Sequence, residues 1–506
     1  MEEVTVRLTL LDRALASVAP RAAAKRYAAR VSLANLARAY EGASRGRAGQ
    51  SWRSTAASAD SIVGADGPLL RERSRDLTRN NPYAAKAVQV LVNSIVGYGI
   101  RPRARHPNKR VEAKLNALWA EWAAVCDADG HTNFDGVLGL AVREMIEGGE
   151  VLLVRRWRRS GSGLPLPFQI EVREAEHFDD SRVSLGSESR ISQGIEYGPD
   201  GRRRAYWLHP EHPGDNFRSF YERHGSQRVD ATEVAHLFER QRTQSRGVPW
   251  GAPAMLAIRD HDDWMLSERV RKKTEACMVG VVIGEDTDQA ASPALTGVGG
   301  KPVEGFEPGM LAYASGAKDV RFNQPATTTG IYEWSSVSAH MIAAGYRVPY
   351  ELLTGDLRQV NFSSSRVGMN EFRRMVELLQ WQTVIPMACE KVWAWFCEAA
   401  FLEGLIPVPH VPAEWDPPRF ESVNPMQDAQ ADLLEVRAGF ASVPQMIGKR
   451  GYSPDDVLRE QSEHLAAAAA VGLVLDADPA QVTKAGQAQS PGDQGGGPDG
   501  APPASS

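Results

Sequence analysis

Residues 253–277 read PAMLAIRDHDDWMLSERVRKKTEAC and residues 330–346 read GIYEWSSVSAHMIAAGY. Both are rich in helix formers and long enough for several turns, so both predict helices. Between them the character changes. Val279 to Ile283 reads as a strand, Gly284 to Pro308 is punctuated by glycine and proline, and Met310 to Ala314 and Val320 to Phe322 read as two more short strands. The pattern is helix, small β insertion, helix. Val348-Pro349 interrupts the second helix, and a polar loop follows from Thr354 to Ser365. A long helix is then expected from Ser365 to Leu402, kinked at Pro386, with Phe372, Met375, Val376, Leu379, Trp393 and Phe396 on its buried face.

Upstream, the sequence predicts mixed helices and hairpins, with order starting near Gly67. Asn81-Pro82 is an N-cap followed by proline at the first helical position, and the helix carries Ala87, Leu91 and Ile95 on one face before stopping at Gly97. Val111 to Trp122 and Phe134 to Ile146 make two more amphipathic helices, the last ended by Gly148-Gly149. Strands are expected at 150–157, 168–172 and 234–238, with a hairpin of Ile191–Tyr197 and Ala205–Leu208 turning at 198–201. The fold class is therefore α+β, without the βαβ alternation of a nucleotide-binding sheet. Downstream, proline dominates from Val408 to Pro425 and continuous structure is not expected. Residues 426–470 read as short helices, and the Gly/Pro/Ser-rich tail from about Asp476 reads as disordered. Residues 1–55, rich in Arg and Ala with a helical pattern around Tyr27 to Tyr40, read as a flexible basic terminus or as an arm that touches scaffold or DNA.

Composition narrows the function. The four cysteines, Cys126, Cys277, Cys389 and Cys397, give neither a disulfide framework nor a CxxC metal pair, which fits folding in a reducing cytosol. There is no apolar run of membrane-spanning length and no signal-peptide core, so a soluble protein without a membrane partner is expected. The formal net charge of −5 opposes tight, phosphate-driven DNA binding. It does not oppose a passage through which a duplex must slide.

No catalytic motif survives inspection, and no cofactor or metal is expected. Gly42-Ala43-Ser44-Arg45-Gly46 spells GxSxG, but a polar, Arg-rich stretch precedes it where a buried strand is needed. GVGGKP at 297–302 lacks the hydroxyl residue after Lys301 that would hold magnesium. His209 and His212 have ligand-like spacing without an evident third ligand, and a surface loop is the simpler reading. Asp260, Asp262 and Asp263 form either a solvated acidic face or part of a two-metal nuclease, which would need further carboxylates from elsewhere.

Six stretches, in order, resemble the lambda-type portal family of tailed phages: RERSRDLTRNNPYAAKAVQVLVNSIVGYGI (71–100), EGGEVLLV (147–154), GIEYGPDGRRRAYWL (194–208), VAHLFERQRTQSRGVPWGAPAM (234–255), FEPGML (306–311) and VPYELLTGDLRQVNFSSSR (348–366). RGVPW and VPYELLTGD are the most specific, and the similarity runs from about Arg38 to Phe420. Arg347 stands where a smaller residue is expected before Val-Pro.

The resemblance implies a dodecameric ring at one capsid vertex, a DNA conduit rather than an enzyme. It implies a wing at 56–250, stem helices at 251–280 and 330–347, and a clip at 281–329. A tunnel loop at 348–365, a long wing helix with a Pro-rich connection at 366–425 and a crown at 426–475 complete the subunit. The implied partners are the terminase large subunit, the head–tail adaptor, the major capsid or scaffold protein, and double-stranded DNA held without sequence preference; the implied locations are the virion and, during assembly, the host cytoplasm.

In the tunnel loop, Gly355, Asp356, Leu357, Arg358, Gln359, Val360, Asn361 and Phe362 are candidates for sequence-blind contact with the duplex backbone, or for bracing adjacent subunits. Trp264, Met265 and Trp334 are candidates for the subunit contact, with packing inside one subunit as the alternative. A metal-dependent nuclease built on the Asp260 cluster, or a capsid adaptor without a channel, are the competing functions.

Overall fold

In the computed structural model the chain divides into two units, Met1–Ser58 and Ala59–Ser506. The structure describes residue 17, residues 19–26 and residues 55–475 apart from 160, 187–188, 216–224, 277–279, 285–310, 314–316, 323–329, 359–361, 419, 421–424, 451, 453 and 474. The helical pattern at 27–40, the GxSxG spelling, GVGGKP and the tail from 476 lie outside the described residues. Of the first unit, residues 20–26 form a helical turn.

The second unit opens with helix α1 (Ala59–Asn80), which starts before the expected onset of order at Gly67 and carries Pro68 inside it. It was not legible as a helix because ion pairs hold it: Arg71 reaches Glu150 and Asp180, and Arg75 reaches Glu144, Glu174 and Glu176. Asn81 then caps α2 (Pro82–Ile95), accepting from the backbone N–H groups of Tyr83 and Ala84.

Strand β1 (Arg101–Ala104), α3 (Lys109–Ala123) and α4 (Phe134–Glu147) follow. Next come β2 (Glu150–Trp157) and β3 (Phe168–Glu174), which with β9 (Val234–Phe238) form a three-stranded antiparallel sheet in the order β3-β2-β9.

Between β3 and β9 lies a five-stranded antiparallel meander: β4 (Ser184–Leu185), β5 (Arg190–Ser192), β6 (Ile195–Tyr197), β7 (Arg203–Leu208) and β8 (Gln227–Asp230). The expected single strand at Ile191–Tyr197 is in fact a hairpin. Gln193 and Gly194 both take positive φ, 52° and 76°, as a tight two-residue hairpin turn requires.

Helix α5 (Met255–Ala276) and helix α6 (Ile331–Tyr346) flank a three-stranded sheet of β10 (Gly280–Gly284), β11 (Leu311–Tyr313) and β12 (Ala317–Phe322). After the short helix α7 (Tyr350–Thr354), α8 spans Phe362–Leu379. At Gln380–Cys389 the helix widens into π turns around Pro386 and then resumes as α9 (Glu390–Leu402). The expected kink is absorbed there: a widened turn accommodates the missing donor, and the Glu390 N–H reaches five residues back to the Ile385 carbonyl. The buried Gln380 side chain donates to the Ile95 carbonyl at 2.8 Å, satisfying the exposed end of α2.

The Pro-rich stretch also departs from expectation. Ala413–Asp416 (β13) pairs antiparallel with β1, placing Arg103 beside Asp416 and burying Trp415. Helices α10 (Pro425–Arg437), α11 (Val443–Lys449) and α12 (Pro454–Ala470) follow.

One aromatic core ties α3, α4, β3 and α9 together. Trp119 lies 5.0–5.3 Å, centroid to centroid, from Phe134, Trp393 and Phe396, and Trp122 stacks on Phe168 at 4.6 Å. Within it the Trp122 indole N–H donates to the Phe168 carbonyl and the Trp393 indole N–H to the Val411 carbonyl.

Candidate functional site

Helix α6 ends on Arg347, whose backbone is left-handed at φ 61° and returns its N–H to the carbonyls of Ala343 and Ala344. Val348-Pro349 starts α7, and Gly355 closes it at φ 71°. These two reversals within nine residues lay Asp356 back against the start of α6. There the Asp356 carboxylate accepts from Tyr332 Oη at 3.0 Å and from Tyr350 Oη at 3.2 Å. It also accepts from Arg358 Nε and Nη2, both at 2.9 Å, while its own N–H donates to Thr354 Oγ1. The Arg358 guanidinium lies over the Tyr332 ring at 4.2 Å. Arg358 holds the Asp356 carboxyl well below the usual carboxylate range, and Asp356 in turn raises the Tyr332 phenol.

The loop tip therefore presents a closed, neutral Asp–Arg pair beside an exposed Leu357. Gln359, Val360 and Asn361 lie outside the described residues. Phe362, grouped with the loop in the sequence reading, is the first residue of α8, because Ser363, Ser364 and Ser365 are residues that helix N-termini accept readily.

Trp264 and Trp334 meet within the subunit, edge to face at 5.7 Å. Trp264 and Met265 are half-buried, whereas Trp334 keeps 44% of its surface exposed. Sequence reasoning missed the rest of the uncovered apolar surface: Leu256, Leu266 and Val270 on α5, and Val337 and Met341 on α6. Trp334, Val337 and Met341 stand at i, i+3 and i+7, one stripe of a helix. That spacing was the signal available for finding them.

Among the described residues, the carboxylates of the Asp260 cluster gather no further ligands for a metal ion. Asp262 is engaged through both oxygens by Asn81 Nδ2, at 2.9 Å each, while Asp260 and Asp263 point to solvent. Among the described residues, Glu174, Glu176 and His212 do come together as potential ligands. Arg75 already sits against both of those carboxylates, and His212 Nδ1 accepts from the Gly214 N–H. His209 joins this group only through its carbonyl, which faces His177 Nδ1.

A second constellation, also missed, is fully buried. Glu150 accepts from Arg246 Nε at 2.8 and 2.9 Å, from the Gly247 N–H at 3.0 Å and from Arg71 at 3.5 Å, and it faces His236 Nε2 at 2.9 Å. Arg203 donates to His236 Nδ1 at 2.6 Å, so the imidazole is neutral and carries its proton on Nε2. Burial opposes charge on both groups. The neighbouring cations nevertheless take Glu150 down to about 2, and burial takes His236 down to about 4. Gly149, at φ 91°, lies so close to Val248 and Pro249 that a side chain there would collide with backbone, and the same holds for Gly247 against Gly149. Residues from four of the six diagnostic stretches thus converge on one buried charge cluster.

Residues 45–380 match the model of the phage portal protein, lambda family. The chain belongs to that family. All six diagnostic stretches fall inside the matched span, and the α+β portal fold is its architecture. A probable portal protein of Halomonas phage phiHAP-1 is 26% identical over 457 residues, covering 85% of this chain and 86% of the relative. The portal protein of Escherichia phage N15 is 22% identical, covering 89% and 94%. Among solved structures, the neck of a native gene transfer agent particle computed with C12 symmetry is 15% identical, with a TM-score of 0.43, covering 75% of this chain and 94% of that one. Portal proteins are structural components of the phage particle and its head–tail connector, and no helix among the described residues is long and apolar enough to cross a membrane.

Proposed function

We propose that this portal protein closes into a dodecameric ring at one capsid vertex, through which DNA is packaged, retained and ejected. The observation that carries the reading is the uncovered apolar surface on α5 and α6, which no other part of the described subunit covers. A head-to-tail contact between unlike faces, repeated around an axis, buries such surface on every subunit and leaves a hole. In this reading α5 and α6 are the stem and residues 281–329 the clip, which docks the terminase large subunit and later the head–tail adaptor. Residues 56–250 and 366–425 are the wing, in contact with capsid or scaffold, and residues 426–475 are the crown.

Residues 348–365 are the tunnel loop, touching the duplex backbone without reading bases. The net charge of −5 favours this sliding contact over tight binding. The engagement of Asp262 by Asn81 weighs against the nuclease alternative. Imaging the purified full-length protein, together with a magnesium- and manganese-supplemented cleavage assay on plasmid DNA, tests the reading. A ring with an axial hole and intact DNA is the expected outcome. A subunit that stays single and cuts DNA, or an assembly without a hole, overturns it.

A further inference from the structure

The run Gly201-Arg202-Arg203-Arg204, part of a diagnostic stretch, has no part in the channel reading. The structure gives it one. Between β7, β8 and the start of α9 lies a recess of about 630 Å³ whose lining includes Arg203, Arg204, Arg228, Lys391 and Asp230. Arg228 is paired with Glu196, on β6. The other three cations have no carboxylate within ion-pairing distance among the described residues. Arg203, at the inner end, spends its guanidinium on neutral groups: the His236 imidazole, the Tyr206 hydroxyl and the Ser245 carbonyl. Lys391 is half-buried, and burial and then the nearby Arg155 push its ammonium down from the ordinary lysine value. Carboxylates act on these cations from further off, Asp230, Glu233 and Glu398 on Lys391 and Glu150 on Arg203, but none pairs with them directly, so their donors stay open to an incoming anion.

We propose that this recess is a docking site for an acidic polypeptide segment. Two features select a polypeptide over a nucleic acid. A carboxylate side chain is small enough to enter a recess of this volume and meet Arg203 in its lining, whereas a duplex is far too broad to do so. In addition, β8 is the terminal strand of its sheet among the described residues, so an extended chain can lie along its free edge while its carboxylates enter the recess. Recognition is by charge-assisted hydrogen bonds from Arg204, Lys391 and the inner Arg203.

The test uses the assembled full-length protein and a fluorescein-labelled poly-glutamate peptide, read by anisotropy. Saturable binding is expected. The Arg204→Gln, Lys391→Gln double variant removes the exposed Arg204 and the half-buried Lys391 without touching Arg203, which also supports buried His236. It should weaken the peptide roughly tenfold or more. A charge-matched control, Arg110→Gln with Arg259→Gln, should leave binding unchanged. Unaltered binding by the double variant, or equal loss in the control, overturns the proposal. So does a duplex oligonucleotide or inorganic phosphate that displaces the peptide and loses affinity in step with it, since the recess would then be a phosphate site. Ring formation, followed by sedimentation, separates these outcomes from failure of the portal assembly itself.

Discussion

Arg347 and Glu239 form a two-pronged ion pair, with guanidinium Nη1 and Nη2 donating to the two carboxylate oxygens at 2.7 and 3.0 Å. The same guanidinium lies 4.9 Å from the Trp250 ring. The pair joins the turn after α6 to the segment carrying RGVPW, the two most specific stretches of the sequence. It also explains why a bulky residue is tolerated in a left-handed backbone that glycine would occupy without strain.

Arg347→Ala loses both contacts and keeps the strain, so subunit stability should fall by about 1–2 kcal/mol. Arg347→Gly loses the contacts and relieves the strain, and should recover about 1 kcal/mol of that loss. Urea denaturation of unassembled subunits measures both. Equal losses would mean that the backbone at this position is not left-handed.

The buried cluster makes stability depend on acid. His236 ordinarily titrates near 6.5 and is pushed down to about 4, so the unfolded chain binds the extra proton between those values. The contribution of His236 to stability should therefore fall as pH drops from 6.5 to 4, with a limiting slope of about 1.4 kcal/mol per pH unit. Above 4.5 it runs against the opposite trend from Glu144, whose carboxyl is pushed by burial up to about 7. Glu150 has the depressed pKa of a carboxylate among cations, and its contribution is lost from 4.5 down to about 2. His236→Gln should flatten the upper window in chemical denaturation run across pH; an unchanged slope would place the titrating group elsewhere. Glu150→Gln keeps the shape but leaves Arg246 and Arg71 buried against a neutral amide, at a cost of about 3–5 kcal/mol.

Much of this was legible locally and the remainder was not, for physical reasons. Asn81-Pro82 announced its helix because capping is a property of adjacent residues, and Gly148-Gly149 announced the turn into β2. Glu150 stood at the head of the apolar run VLLV, a visible anomaly, but its partners Arg71, His236 and Arg246 lie far along the chain and no local pattern links them. The strand at 413–416 was hidden because the flanking prolines argue against a ladder, while the pairing needs no N–H from them: Pro412 contributes only its carbonyl, which accepts from the Arg105 N–H. At the candidate site, sequence identified Asp356 and Arg358 but gave no hint that Tyr332, on another helix, and Tyr350 close that pair.

If the loop meets the duplex as proposed, the closed Asp356–Arg358 pair sets the charge that it offers there. Asp356→Asn keeps hydrogen bonds with the tyrosines and releases the guanidinium. Rings of this variant should bind duplex DNA more tightly, with log affinity falling more steeply with log salt by about 0.9 for each added phosphate contact. Arg358→Ala should do the reverse, and the double alanine variant should still form rings yet package or retain less DNA. Salt titration by anisotropy on assembled rings supplies the numbers. Identical slopes for all three proteins would remove the loop from contact with the duplex.

The stripe of Trp334, Val337 and Met341 tests the ring most directly, because each residue is exposed in the single subunit at 44%, 55% and 59%. If a neighbouring subunit covers Val337 and Met341, a carboxylate at either place becomes a buried unpaired charge, costing about 3–5 kcal/mol at every contact around the ring. Val337→Asp and Met341→Asp should then yield folded subunits that sediment singly. Ser338 and Ile342, their buried neighbours on α6, face the subunit interior, so the surface changes leave the fold itself intact by circular dichroism and melting. Trp334→Phe, which keeps an aromatic edge toward Trp264, should assemble normally. Full-sized rings from the aspartate variants would move the subunit contact off α6, and the channel would have to be lined by another element.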